Sequence, residues 1–110
     1  MILMSDDLTR AFTLWLGQLA NERRLSAKSV EAYGRDVRQF LAHRNTVQGR
    51  VTSLSDLESL KPVDLRAFMA ARRSDEIGSR SLMRGLAGIR SFLRFLERNG
   101  LADASALSVV

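Results

Sequence analysis

The chain has 110 residues, 45% of them hydrophobic and 26% charged, with a formal net charge of +5. That is one domain's worth of sequence, too apolar and too evenly mixed for a disordered chain. With no cysteine and a single histidine, His43, it has no disulfide, thiolate nucleophile, cysteine-ligated zinc or His-rich metal site, and no metal or cofactor is expected.

The opening Met-Ile-Leu-Met runs straight into Ser5-Asp6-Asp7 and lacks the basic and long apolar regions of a secretory signal. No apolar run reaches the roughly 18 residues that span a bilayer, so a soluble cytoplasmic protein without membrane contact is expected. Leu8, Phe12, Trp15, Leu16 and Leu19 recur at helical spacing and predict a first helix over about residues 6–22. Ser26 caps a second, over about 27–44, with Val30, Tyr33, Val37, Phe40 and Leu41 on one face. Residues 45–57 are weakly patterned and read as an exposed loop; a hairpin around Gly49 would be marginal alone.

Pro62 suits the first position of a third helix over about 62–73, with Asp64 in its first turn and Leu60 stapling onto Leu65. Ser79 or Ser81 caps the longest helix, whose core positions are Leu82, Leu86, Ile89, Leu93 and Leu96, and Asn99-Gly100 ends it as a left-handed cap. Ala102 to Val110 is either a tail or the start of a further short helix. The result is an all-α, compact bundle of four to five helices.

The basic excess comes from fifteen arginines and only two lysines. Guanidinium suits phosphate and base-edge recognition, although a GC-rich genome also favours arginine codons. At about 100° per residue from Leu82, Arg80, Arg84, Arg94 and Arg98 fall between about 120° and 200°, opposite the core, with Ser91 among them and Arg90 on the flank. Counting from Val30 in the same way, Lys28, Ala32, Arg35 and Gln39 form one outward stripe at about 140° to 200°. Cations for phosphates or guanine, an amide for adenine, and a small residue for close approach are what a groove-lying helix needs. Ser29 and Ser81 add hydroxyls and N–H groups in first turns. Acidic residues fall mostly outside these stripes, Glu31 lying near the edge of one. Two readings stay open: nucleic-acid binding, or a stand-alone helical protein-interaction module whose basic faces meet acidic partners.

Catalytic constellations are weak. His43 reads as a solvated histidine at a helix end rather than part of a triad, and Tyr33 as a packed ring rather than a nucleophile. Gly85 and Gly88 inside a helix, at about 1 kcal/mol each relative to alanine, point to a close helix crossing. Trp15 and Phe12 are core anchors, while Phe95, at about 220°, shares the outer arc and needs the C-terminal tail or a partner to cover it.

Leu25-Ser-Ala-Lys-Ser-Val-Glu-Ala-Tyr-Gly-Arg-Asp-Val-Arg-Gln-Phe-Leu41 resembles the second helix of the N-terminal core-binding domain of Xer-type tyrosine recombinases and integrases. The family pattern there is Leu-Ser-x-x-Thr-x-x-x-Tyr-x-x-Asp-Leu-x-x-Phe. Lys61-Pro-Val-Asp-Leu-Arg-Ala-Phe68 is similar to Thr-Pro-x-Asp-Val-Arg-x-Phe of the same family, and Ser79 to Leu96 resembles its fourth helix. Three departures stand out. Lys61 occupies the place of a Ser or Thr cap, Ser29 replaces the commoner Thr, and the tail lacks the usual Asn-Pro.

The resemblance implies a SAM-like domain over residues 1–110 that forms half of a C-shaped clamp on a double-stranded DNA recombination site. Carried over position by position, Lys28, Ser29, Ala32 and Arg35 face DNA from the second helix, and Arg80, Ser81 and Arg84 from the fourth. Periodicity adds Gln39 and Arg94. It further implies that the catalytic domain, with its nucleophilic tyrosine, lies outside this chain, which therefore holds no catalytic residue. A full-length recombinase would act with other protomers in a tetrameric synapse, in DNA integration or chromosome dimer resolution.

Overall fold

Helix starts follow local hydrogen-bond chemistry. In the computed structural model, which describes residues 3–103, Ser5 opens α1 (Asp6–Asn21); the Leu8 N–H donates to Asp7 Oδ1 at 2.7 Å and reaches Ser5 Oγ at 3.4 Å. Ser26 opens α2 (Ala27–Gln48), its hydroxyl accepting the Ser29 N–H at 3.2 Å. Ser53 and Asp56 cap α3 (Leu54–Glu58) reciprocally. α4 (Pro62–Ser74) has proline at its start and no side-chain cap from Lys61. Instead, Asp64 Oδ2 accepts the Lys61 backbone N–H at 2.9 Å, half of a capping box. α5 (Ser79–Arg98) starts after Gly78, again without a side-chain cap, so neither Ser79 nor Ser81 caps it as expected.

Helix ends are equally local. Gly100, at φ +66°, closes α5 in a Schellman motif: the Leu101 N–H reaches the Leu96 carbonyl at 2.9 Å, and the Gly100 N–H that of Glu97 at 3.1 Å. α4 ends in the same way, but its left-handed position is filled by Glu76, at φ +62°.

The all-α fold is as expected, with five helices among the described residues, yet the fifth is not where the sequence suggested. It is α3, inside the stretch read as a loop, where Leu57 and Thr52 are buried. α2 also runs one turn beyond the expected end, to Gly49 at φ +74°. Tertiary contacts order this stretch. The Asn45 amide donates to the Leu3 carbonyl at 2.6 Å, and its oxygen accepts from Thr52 N and Oγ1 at 2.8 and 2.6 Å. The Ser5 N–H donates to the Thr52 carbonyl at 2.9 Å, beside a lone parallel bridge between Met4 and Thr52. The chain entering α1 is thereby clasped to the end of α2. The expectation for residues 102–110 lies largely outside the described residues.

α5 is the hub of the core, carrying six of its residues. Trp15 of α1, fully buried, packs against Phe92 of α5 with ring centroids 5.1 Å apart, and Phe12 completes the cluster at 5.8 Å from Trp15 and 5.9 Å from Phe92. A second cluster joins Phe40 of α2 to Phe68 of α4 at 5.3 Å. His43 stacks edge-on against the same Phe68 ring at 5.3 Å. Because α2 continues past it, His43 is not a solvated helix-end residue: it is half-buried, and its Nε2 has no hydrogen-bond partner. Burial, then the neighbouring Arg44, hold its pKa below the usual histidine value.

Candidate nucleic-acid interface

α2 and α5 make the most extensive helix contact in the fold, with Gly85 and Gly88 of α5 facing α2. A Cβ on Gly88 would sit 3.4 Å from Tyr33 Cδ1 and 3.6 Å from its carbonyl oxygen; one on Gly85 would sit 3.9 Å from Asp36 Cγ. At the α4 side of the same seam, Gln39, Ser81 and Arg72 line a shallow concavity with Asp36 and Gly85. The pairings Tyr33 with Gly88, Asp36 with Gly85 and Gln39 with Ser81 run in opposite senses, so the helices are antiparallel.

Across the seam, Arg84 Nε and Nη2 donate to Asp36 Oδ2 and Oδ1 at 2.8 and 3.0 Å. Asp36 is 5% exposed and the Arg84 side chain 38%. The Asp36 hydrogen bonds raise the Arg84 pKa further, so its charge is permanent. This ion pair, absent from the sequence reading, joins the two polar stripes. Ala32 and Gln39 are half-buried along the seam, while Lys28, Ser29, Arg35, Arg80 and Ser81 are exposed. Ser29 Oγ accepts a hydrogen bond from Ser26 Oγ at 3.1 Å. No carboxylate of the described residues pairs with Lys28, Arg35, Arg80 or Arg94.

The arginine face of α5 is not one surface. Ser91, expected on it, turns inward and accepts the Trp15 indole N–H at 3.1 Å. Phe95 is buried beside Gly17, Gln18 and Asn21 of α1, and the tail expected over it lies outside the described residues. α1 therefore occupies the outer arc of the C-terminal half of α5. Arg84 stays beside α2, and exposed Arg94 lies ten residues further on, about 15 Å along the axis.

Sequence matching decides what this seam belongs to. Residues 12–100 match the phage integrase N-terminal SAM-like domain. The chain belongs to that family. It is 58% identical over 104 residues to a tyrosine recombinase XerC from Methylobacterium sp. (strain 4-46), covering 94% of this chain and 32% of that protein. It is 53% identical over 110 residues to a namesake from Methylobacterium nodulans, covering all of this chain and 34% of that one. Against a Rhizobium meliloti namesake, identity is 55% over 96 residues, covering 87% and 30%. The chain thus spans about a third of the length of the curated relatives it matches. No solved structure matches it. The resemblance to Xer-type recombinases is correct, and the three motifs that carried it lie in α2, α4 and α5 of this SAM-like domain. Among the described residues no helix is long and apolar enough to cross a membrane.

First turns set two helices of the domain apart. α1, α3 and α4 carry Asp6 and Asp7, Asp56, and Asp64 there, as the positive end of a helix dipole favours. α2 and α5 carry no acid in that turn and instead place Lys28 and Arg80 at their second positions. Stability alone would not choose a cation there. An arrangement of cations, N–H groups and hydroxyls at two helix starts on one antiparallel pair can hold anions.

Proposed function

We propose that this chain is the DNA-binding domain of a Xer-like tyrosine recombinase, gripping duplex DNA with the polar faces of α2 and α5. The observation that carries the reading is the placement of Lys28 and Arg80 in the two first turns without a carboxylate. Because the helices are antiparallel, these cations stand at opposite ends of the seam, roughly 18 Å apart along α2 at 1.5 Å per residue. That separation suits phosphates on the two walls of a major groove about 12 Å wide, with Ala32, Gln39 and Arg84 over the groove between them and Arg35 as a third phosphate contact. Ser29, Ser81 and the more distant Arg94 add backbone contacts. In a full-length cytoplasmic protein, a catalytic domain outside this chain breaks and rejoins strands, and other protomers complete the synapse, in DNA integration or chromosome dimer resolution.

The placement makes binding and stability respond with opposite signs. Replacing Lys28→Glu together with Arg80→Glu improves both helix dipoles by about 0.3–1 kcal/mol each and removes two phosphate contacts. The double variant should melt higher than the wild type and bind duplex DNA more weakly, read by thermal melting and fluorescence anisotropy. Equal DNA affinity in a variant that melts higher would refute the reading and favour the protein-interaction alternative.

A further inference from the structure

Resting on the DNA-binding reading, we infer that Asp36 is a positioning residue that makes Arg84 a guanine reader rather than a phosphate contact. A guanidinium has five N–H donors on a rigid plane. Asp36 takes the Nε–H and one Nη2–H, the side-on edge, and holds it from a buried site on the neighbouring helix. The end-on fork, one hydrogen on each Nη, is left on the side away from Asp36, on a side chain that is 38% exposed. That fork matches the O6 and N7 acceptors of guanine. Its direction is fixed before DNA arrives, which removes the ordering cost a free arginine incurs on binding.

Charge separates the two possible ligands. A phosphate is attracted by net charge, and the adjacent Asp36 carboxylate cancels that of Arg84 and repels the phosphate. Guanine presents neutral acceptors and rewards geometry instead. Lys28, Arg35 and Arg80, which have no carboxylate partner, are the phosphate contacts of the same seam.

The test selects sites from a randomised 20-base-pair duplex pool with the 110-residue chain, its Arg84→Lys variant and its Asp36→Asn variant. Folding is checked by circular dichroism. The wild type should enrich a motif containing a guanine whose replacement by adenine weakens binding on the order of 10-fold. Arg84→Lys keeps the charge and the contact with Asp36 but has no fork. It should lose that preference while keeping the rest of the motif and the salt dependence. Asp36→Asn, where it folds, should also lose the preference, and its salt dependence should steepen as Arg84 turns to phosphate. A wild type that binds with salt dependence yet enriches no guanine overturns the inference, as does guanine preference retained in Arg84→Lys. A wild type that does not bind DNA at all overturns the DNA-binding reading itself.

Discussion

Trp15 and Ser91 show how single residues hold this fold. The indole N–H is buried with the Ser91 hydroxyl as its acceptor, so Ser91→Ala leaves a buried donor unpaired. That costs about 1–3 kcal/mol, and at 4–8 °C per kcal/mol for a domain of this size the melting temperature should fall accordingly. A Ser91→Ala variant that melts like the wild type would show the bond to be dispensable. His43 governs a different window. Its folded pKa is lowered, so below about pH 6.5 the unfolded chain binds its proton more readily than the folded one. Its contribution is full above that pH and is lost as pH falls below it. Melting should therefore weaken between pH 7.5 and 5 in the wild type and much less in His43→Leu. Asp56 acts lower still. Hydrogen bonds from Arg50, at 2.6 Å from each carboxylate oxygen, hold it at about 2, so its contribution is present above about pH 3.8 and disappears as pH approaches 2. Arg50→Ala should remove most of that acid-limb slope. None of the three was legible in the sequence, because each depends on a partner supplied by tertiary packing or an unforeseen element. Ser91 lies on the predicted outer arc of α5, and only the packing of α1 turns it inward.

At the scale of elements, the caps and stripes were legible where local chemistry decides and illegible where it does not. Ser5, Ser26, Pro62 and Gly100 mark their helix boundaries through their own side chains or backbone freedom. α3 was missed because five residues are too few for a periodic signal, and its buried Leu57 is fixed by neighbours. The end of α2 was missed because a tertiary clasp through Asn45 stabilises its last turn. The start of α5 was misread because a serine suggests a cap, whereas Gly78 takes the position. Two substitutions test the element-level account. Glu76 holds a left-handed conformation that glycine adopts without steric cost, so Glu76→Gly should stabilise the chain by about 1 kcal/mol, read as a higher melting temperature. Gly88→Leu pushes a side chain into Tyr33 at the α2–α5 crossing and should destabilise by about 1–3 kcal/mol or more. A neutral Gly88→Leu would mean that the crossing is looser than the distances require.

Across the whole molecule, a basic surplus spread through the sequence becomes a directed surface. Arg84 of the predicted α5 stripe is held against α2 by Asp36, which neutralises it, and α1 divides the rest of that stripe. Three unpaired cations, Lys28, Arg35 and Arg80, remain beside the seam. Counterion release then fixes what binding must look like: each neutralised phosphate contributes about −0.9 to the slope of log K against log salt. The most direct measurement is that slope for the chain on duplex DNA, from roughly 50 to 200 mM salt. It should be about −2.7 or steeper for the wild type, the three seam cations supplying about −2.7 and the more distant Arg94 adding to it, and rise toward zero by about 0.9 in Lys28→Ala and in Arg80→Ala. A slope near zero, or one that neither substitution changes, would contradict the account.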